Sequence, residues 1–248
     1  MSPTQVADTR KTAERTHGRA IAGRAARVWG QYGRAGQERV ARRARLIAES
    51  AGLRPGVRAL ELGCGTGEYT ERLVAAGASL SALDLVPELV AVARRRPGLA
   101  GVAWLLGDAE QLPLPDGALD AVVGNAVLHH LRLGPALAEI VRVLRPGGRC
   151  ALTEPNMLNP QVAVQKNVPT VKRWLGDTPH ETAFLSWRIR AALVHAGLVV
   201  ERITPFDFLH PVIPDSAVPL VQSVESSLER APLVSHLAGS LLIVARRP

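Results

Sequence analysis

Four short runs carry the residue types that can do chemistry. The first, Glu61-Leu-Gly-Cys-Gly-Thr-Gly67, follows an apolar stretch that begins at Val57 and precedes a helical pattern. A buried strand that empties into a glycine-rich turn and then a helix is where alternating α/β folds bind ligands. Glycine at Gly63, Gly65 and Gly67 lets the backbone, the Cys64 amide included, approach a ligand without a side chain in the way. The second run, Leu83-Asp84-Leu85, puts a carboxylate at the end of the next strand, the position that accepts from a ribose hydroxyl pair. The third, Gly107-Asp108-Ala109, offers an acid that can accept from an adenine amino group, with Ala109 leaving room for the ring. The fourth is His129-His130, two side chains that can take a proton near neutral pH.

The identity of the nucleotide turns on two acids. A dinucleotide turn wants Gly or Ala at its third position, which here is Glu68, and a carboxylate beside a pyrophosphate is repelled. S-adenosylmethionine (SAM) carries no phosphate. Its methionine end presents an ammonium and a carboxylate, which an acid at Glu61 and the turn's N–H groups can both use. Glu61 thus points to SAM rather than NAD.

Methyl transfer is an in-line displacement, so alignment and exclusion of water can supply much of the catalysis, and a base is needed only for poorly ionised acceptors. His129 and His130 fall just past the fourth strand, at the edge where an acceptor would lie. Either ring removes the acceptor's proton, or the pair is a structural turn with one ring bonded to backbone. Glu154 and Asn156, after the fifth strand, orient an acceptor or cap a turn. His180, Asp207 and His210 are acceptor contacts or exposed loop residues. Cys64 and Cys150 lack any paired spacing, so neither a metal nor a disulfide is expected.

The elements that must position these residues follow from periodicity. Strands are expected at about 57–62, 79–83, 102–106, 119–124, 148–153, 199–203 and 240–245. Helices are expected at about 68–76, 87–96, 134–144 and 181–196, and one or two within 20–51, broken near Gly30 to Gly36. Met1 to about His17 has no apolar periodicity and reads as a loose terminus. The division is an N-terminal helical arm or cap, 1–51, and a catalytic domain, 52–248. Proline-spaced, apolar stretches at about 155–182 and 205–235 read as lids that hold acceptor specificity.

ELGCGTG, LDL, GDAEQLPLPDGALDAVVGNAVLHHL and RVLRPGGR, in this order over Val57 to Glu154, together resemble class I SAM-dependent methyltransferases, particularly the ubiquinone and menaquinone C-methyltransferases. The resemblance implies an α/β fold: a doubly wound, Rossmann-like, seven-stranded sheet of order 3-2-1-4-5-7-6. It implies SAM as cofactor, with Gly63, Gly65 and Gly67 around the methionine part, Asp84 with Leu85 at the ribose, and Asp108 with Ala109 at the adenine. Asn125 matches the position beside the methionyl end, or is a turn former. Tyr32 of Trp29-Gly-Gln-Tyr32 closes over the cofactor, or anchors a core. The stretches after Glu154 depart from the quinone enzymes.

The chain of 248 residues is 47% hydrophobic and carries a formal charge of +8. Residues 1–50 hold 11 Lys/Arg against 4 Asp/Glu, a net of +7, which leaves the remaining 19 against 18 at +1. Arg alternates with Ala from Arg19 to Arg45, as on a solvated amphipathic helix rather than a binding arm. No membrane span or secretory leader is apparent, and a cytoplasmic location is the expectation. The expected partner is a small, hydrophobic or aromatic acceptor. An RNA-directed enzyme using the basic arm, or a non-methylating SAM-binding enzyme, are the alternatives. With 4% aromatics there are few rings to stack bases, and nucleic acid is not the expected partner.

Overall fold

The computed structural model describes the backbone of residues 3–248 and the side chains of residues 9–248. Three helices lead: α1 (Pro3–Ile21), α2 (Ala25–Val28) and α3 (Gly33–Ala51). The expectation of a loose terminus to about His17 is therefore corrected from Pro3 onward, and residues 1 and 2 lie outside the described residues. No apolar stripe announces the first half of α1 because it docks through Arg10, Lys11 and Glu14. Helix α3 is conventional by contrast. Its Val40, Ala44, Ile47 and Ala51 recur on one face and are buried, and it stops at Gly52, which is left-handed with φ 69°.

Beyond it run β1 (Arg58–Leu62), α4 (Glu68–Val74), β2 (Ser79–Asp84), α5 (Pro87–Ala93), β3 (Ala103–Leu106) and β4 (Leu119–Asn125). Next come α6 (Leu133–Val143), β5 (Leu144–Pro155), α7 (Pro160–Asn167), α8 (Pro169–Leu175), α9 (Ser186–His195), β6 (Val199–Phe206), α10 (Val218–Arg230) and β7 (Ser240–Arg246). The seven strands form one sheet in the order β3-β2-β1-β4-β5-β7-β6, as the resemblance implies. β1 to β5 pair in parallel, and β7 runs antiparallel between β5 and β6.

Strands buried on both faces read as continuous apolar runs, and Ala121, Val122 and Val123 of β4 are all inaccessible. Their side chains alternate between two cores. Leu60, Val122 and Leu152 pack with Leu137, Ile140, Ile189 and Leu193 from α6 and α9. Ala59, Ala121, Val123 and Ala151 face Val40, Ile47, Tyr69 and Leu73 from α3 and α4, where three alanines let the helices sit close. The carboxyl ends of β1, β2, β3, β4 and β5 thereby share one edge, and the four chemical runs are the connections that leave it.

The stretches at about 155–182 and 205–235 are more ordered than their prolines suggest, for they contain α7, α8 and α10. Pro160, Pro169 and Pro219 each stand in the first turn of one of these helices.

Candidate functional site

The glycine turn has the backbone its composition demands. Gly63, Gly65 and Gly67 have φ of 67°, 53° and 84°, values that side chains rarely adopt. A Cβ on Gly63 would come within 2.8 Å of Val127, and one on Gly65 within 2.8 Å of the Trp29 ring. Gly67 lies farther back as the N-cap of α4. The Gly65 N–H donates to Asp84 Oδ2 at 2.8 Å and the Val86 N–H to Oδ1 at 2.9 Å, so Asp84 ties the turn to the end of β2. Each carboxylate oxygen keeps a second lone pair for a diol. Burial raises the Asp84 pKa, and these amides oppose the rise.

Glu61 is buried behind the turn, where Thr70 Oγ1 donates to it at 2.6 Å. Burial pushes its carboxyl up to about 7 against that hydrogen bond, helped by Asp84 and Glu68. The structure thus puts Glu61 beneath the cradle rather than on the cavity wall. Glu68 meets its charge within the protein, pairing with Arg96 and accepting from Thr66 Oγ1 at 2.5 Å. Asp108 pairs with Lys11 of α1 and accepts the Glu110 N–H at 2.8 Å. Ala109 is buried beside it, and Leu85 lines the same cavity.

Asn125, at the end of β4, accepts from Thr153 Oγ1 at 2.7 Å and from Arg43 at 3.2 Å. Its carbonyl side is engaged, leaving the amide N–H groups as the side a ligand can use. Tyr32 lines the cavity, half-exposed, with the Arg27 guanidinium 5.6 Å from its ring centre. It is Trp29, three residues earlier, whose ring covers Gly65.

At the other end of the cavity the two histidines differ. The His129 ring is buried, with Nδ1 2.8 Å from Glu154 Oε2. Glu154 Oε1 accepts the N–H groups of Val127 and Leu128 at 2.9 and 2.7 Å. Glu154 thus builds the turn that carries His129. Burial sends the His129 pKa well below its usual value, with His130 and Lys166 acting in the same direction. Burial raises Glu154 to about 7 against its backbone N–H partners. The His130 ring is tilted 36° to that of His129, centres 4.1 Å apart. Its Nδ1 lies 3.0 Å from Glu14 Oε2, and although burial pulls its pKa down, Glu14 and Glu181 outweigh this and raise it.

Glu181 completes the group, 3.9 Å from each imidazole and 2.6 Å from Lys166 Nζ. Burial would raise its carboxyl, but His130, Lys166 and His129 bring it down to about 2. Donor atoms of His129, His130 and Glu181 lie within 4.8 Å of one another, a spacing a divalent ion can span. Lys166 already supplies Glu181 with a positive charge.

Asp207 sits at the third side, in a left-handed conformation with φ 78°. Arg39 and Arg43 both grip its carboxylate. Burial would raise its pKa, and the two guanidinium groups hold it below the usual value instead. This corrects the solvated-face reading of the Arg/Ala pattern. Arg39 and Arg43 point into the protein, and Arg42 pairs with Glu225 and Glu229. His210 reaches the cavity, its Nε2 2.6 Å from Gln161 Nε2. Asn156 does not. Its amide donates to the carbonyls of His236 and Ala238, and its Oδ1 accepts the Leu158 N–H, so it is a buried loop anchor. His180 is exposed and contributes only its carbonyl, to Arg10.

A single cavity of about 600 Å³ joins the glycine turn, Asp84 and Asp108 at one end to His129, His130 and the segments after Glu154 at the other. Glu14, Lys166, Glu181 and Arg43 belong to it although no sequence motif marks them. They are brought in by pairings between residues far apart in the chain, for which local spacing holds no signal.

Residues 60–152 match a protein-family profile described as Methyltransferase domain. The chain is 45% identical over 95 residues to malonyl-[acyl-carrier protein] O-methyltransferase of Serratia marcescens, covering 38% of this chain and 36% of that relative. It is 42% identical over 121 residues to demethylmenaquinone methyltransferase of Beutenbergia cavernae, covering 48% of each. The chain therefore spans less than half the length of these two curated relatives. A solved S-adenosylmethionine-dependent methyltransferase from Mesorhizobium loti aligns over 81% of this chain and 95% of its own, with a TM-score of 0.59 at 19% identity, a likeness of fold.

Proposed function

We propose that the chain is a class I SAM-dependent methyltransferase, a reading supported by the match of residues 60–152 to a methyltransferase domain, and that it binds SAM and transfers its methyl group to a small hydrophobic or aromatic molecule. The observation that carries this reading is the single cavity, because it joins a glycine cradle to a cluster able to move protons. Its size suits a ligand of this class. The residues present fit the cofactor: Gly63, Cys64 and Gly65 form a backbone cradle with Trp29 over Gly65, and Asp84, Asp108 and Ala109 follow in the order ribose and adenine require. When bound, SAM supplies an electrophilic methyl carbon on a sulfonium.

The protein's part is placement and shielding. Trp29 and Tyr32 cover the cradle and exclude water, with Glu61 supporting the turn from behind. The amide of Asn125 orients the methionyl end. His129 or His130 receives a proton where the acceptor has one to lose. Asp207 and His210 border the acceptor, Glu154 acts behind His129, and Asn156 anchors the loop that follows β5. Residues 1–51 serve as cap, and the stretches at about 155–182 and 205–235 as acceptor lids.

The test is calorimetry followed by transfer from labelled SAM into a cell extract. The expected result is SAM binding that Asp84→Ala weakens at least tenfold, with label appearing in a small organic product. Absence of SAM binding to the wild-type chain overturns the reading.

A further inference from the structure

The Glu154–His129 contact does more than add to a proton-accepting cluster: given the methyl-transfer reading of the cavity, on which the inference rests, it singles out one ring as the base. Glu154 does not line the cavity; it stands behind His129, which does. One of its oxygens is fixed by two backbone N–H groups, so the other is aimed at Nδ1. The two N–H groups on Oε1 favour the ionised form of Glu154 against burial, and a carboxylate in that position makes Nδ1 the donor and leaves the lone pair on Nε2. Nε2 is 3.9 Å from Glu181 Oε2, too far to be consumed by a hydrogen bond. Glu181 is meanwhile occupied by Lys166 and by the Thr178 N–H, each at 2.6 Å.

His130 is built differently. Glu14 and Glu181 face its Nδ1 at 3.0 and 3.9 Å, an arrangement that favours the imidazolium, and an imidazolium has no lone pair to offer. Around His129 the facing groups are Glu154, Glu181, His130, Lys166 and Glu14. Burial first, then the neighbouring ring and the ammonium, oppose a second proton on His129 against the pull of Glu181 and Glu14.

We infer that His129, rather than His130, takes the acceptor's proton, that Glu154 is the positioning residue which fixes its tautomer, and that the acceptor's reacting heteroatom bears a proton at neutral pH. This excludes carboxylates, which need no base. In the step, the lone pair of X–H forms the X–CH₃ bond, and the C–S bond breaks with its electron pair returning to sulfur. The proton passes from X to Nε2, and the carboxylate of Glu154 stabilises the imidazolium that results.

The experiment uses Glu154→Gln, which keeps an oxygen for the two backbone N–H groups but can turn an N–H toward Nδ1 and so reverse the ring. Imidazole ¹⁵N spectra should show a proton on Nδ1 and a bare Nε2 for His129 in the wild type, and the reverse in the variant. Transfer from labelled SAM to a panel of simple phenols should fall by ~10²-fold or more with the SAM Kd within twofold, and matched benzoates should not be methylated by either protein. A wild-type His129 with its proton on Nε2 overturns the inference, as does methylation of benzoates at rates indifferent to the substitution. The ring readout needs no cofactor, so failure of SAM binding would overturn the methyl-transfer reading separately from the dyad.

Discussion

Glu61 shows how one residue can be right in kind and unexpected in placement. An acid at the end of β1 is visible in the sequence, but the fold turns it under the glycine turn, with Thr70 as its hydrogen-bond donor. Its carboxyl is raised to about 7 by burial, so the folded state binds this proton more tightly than the unfolded chain does. The stability this confers is present below the ordinary pKa of 4.5 and is lost as pH rises through about 7. Glu61→Gln has no proton to lose. Its urea midpoint minus that of the wild type should become more positive from pH 5 to pH 8, and a constant difference would refute the buried acid. Gly65 gives a second expectation. Valine there would meet the Trp29 ring and a backbone of φ 53°, so Gly65→Val should abolish SAM binding by calorimetry while near-native far-UV dichroism is retained. Normal binding would move the cradle elsewhere.

Among elements, the helices that the sequence conceals have a shared cause. Pro160, Pro169 and Pro219 look like loop spacers in a sequence, yet a proline in the first helical turn forfeits no hydrogen bond and presets the backbone. Helix α1 is concealed for another reason: periodicity detects apolar faces, and α1 grips the site through charges. The strands and the central helices are legible because each buries an unbroken run or a regular stripe. The Lys11 contact on Asp108 places α1 over the Asp108 end of the cavity. Both groups are partly exposed, so the pair contributes under about 1 kcal/mol. Lys11→Met frees the carboxylate and should tighten SAM binding by up to about fivefold. Weaker binding would make Lys11 part of the site rather than a competitor for Asp108.

For the whole molecule, the sheet order is readable because four ordered motifs fix the first five strands, whereas what ties the N-terminal helices to the far side is not. That tie is the grip of Arg39 and Arg43 on Asp207, which joins α3 to the end of β6 and reaches Asn125 and Ser240. Removing one partner of a buried ion pair leaves the other charge short of compensation, at about 3–5 kcal/mol. Arg43→Met should lower unfolding free energy by the order of that amount in urea titration. Arg43→Met with Asp207→Asn should recover part of the loss. A loss under about 1 kcal/mol would mean that Arg39 alone suffices.

The reversed direction of β7 has a practical corollary. Ser240 starts at the edge where Arg43 meets the cavity, and Arg246 ends opposite Arg149, at the other edge of the sheet. The peptide that follows Arg246 therefore leaves from the sheet edge opposite the cavity, while Arg10, Lys11 and Glu14 of α1 line the cavity itself. Anchoring the protein to a sensor chip through its carboxyl-terminal end would hold the cavity edge away from the surface, whereas an anchor ahead of α1 would pull on a helix that lines the cavity.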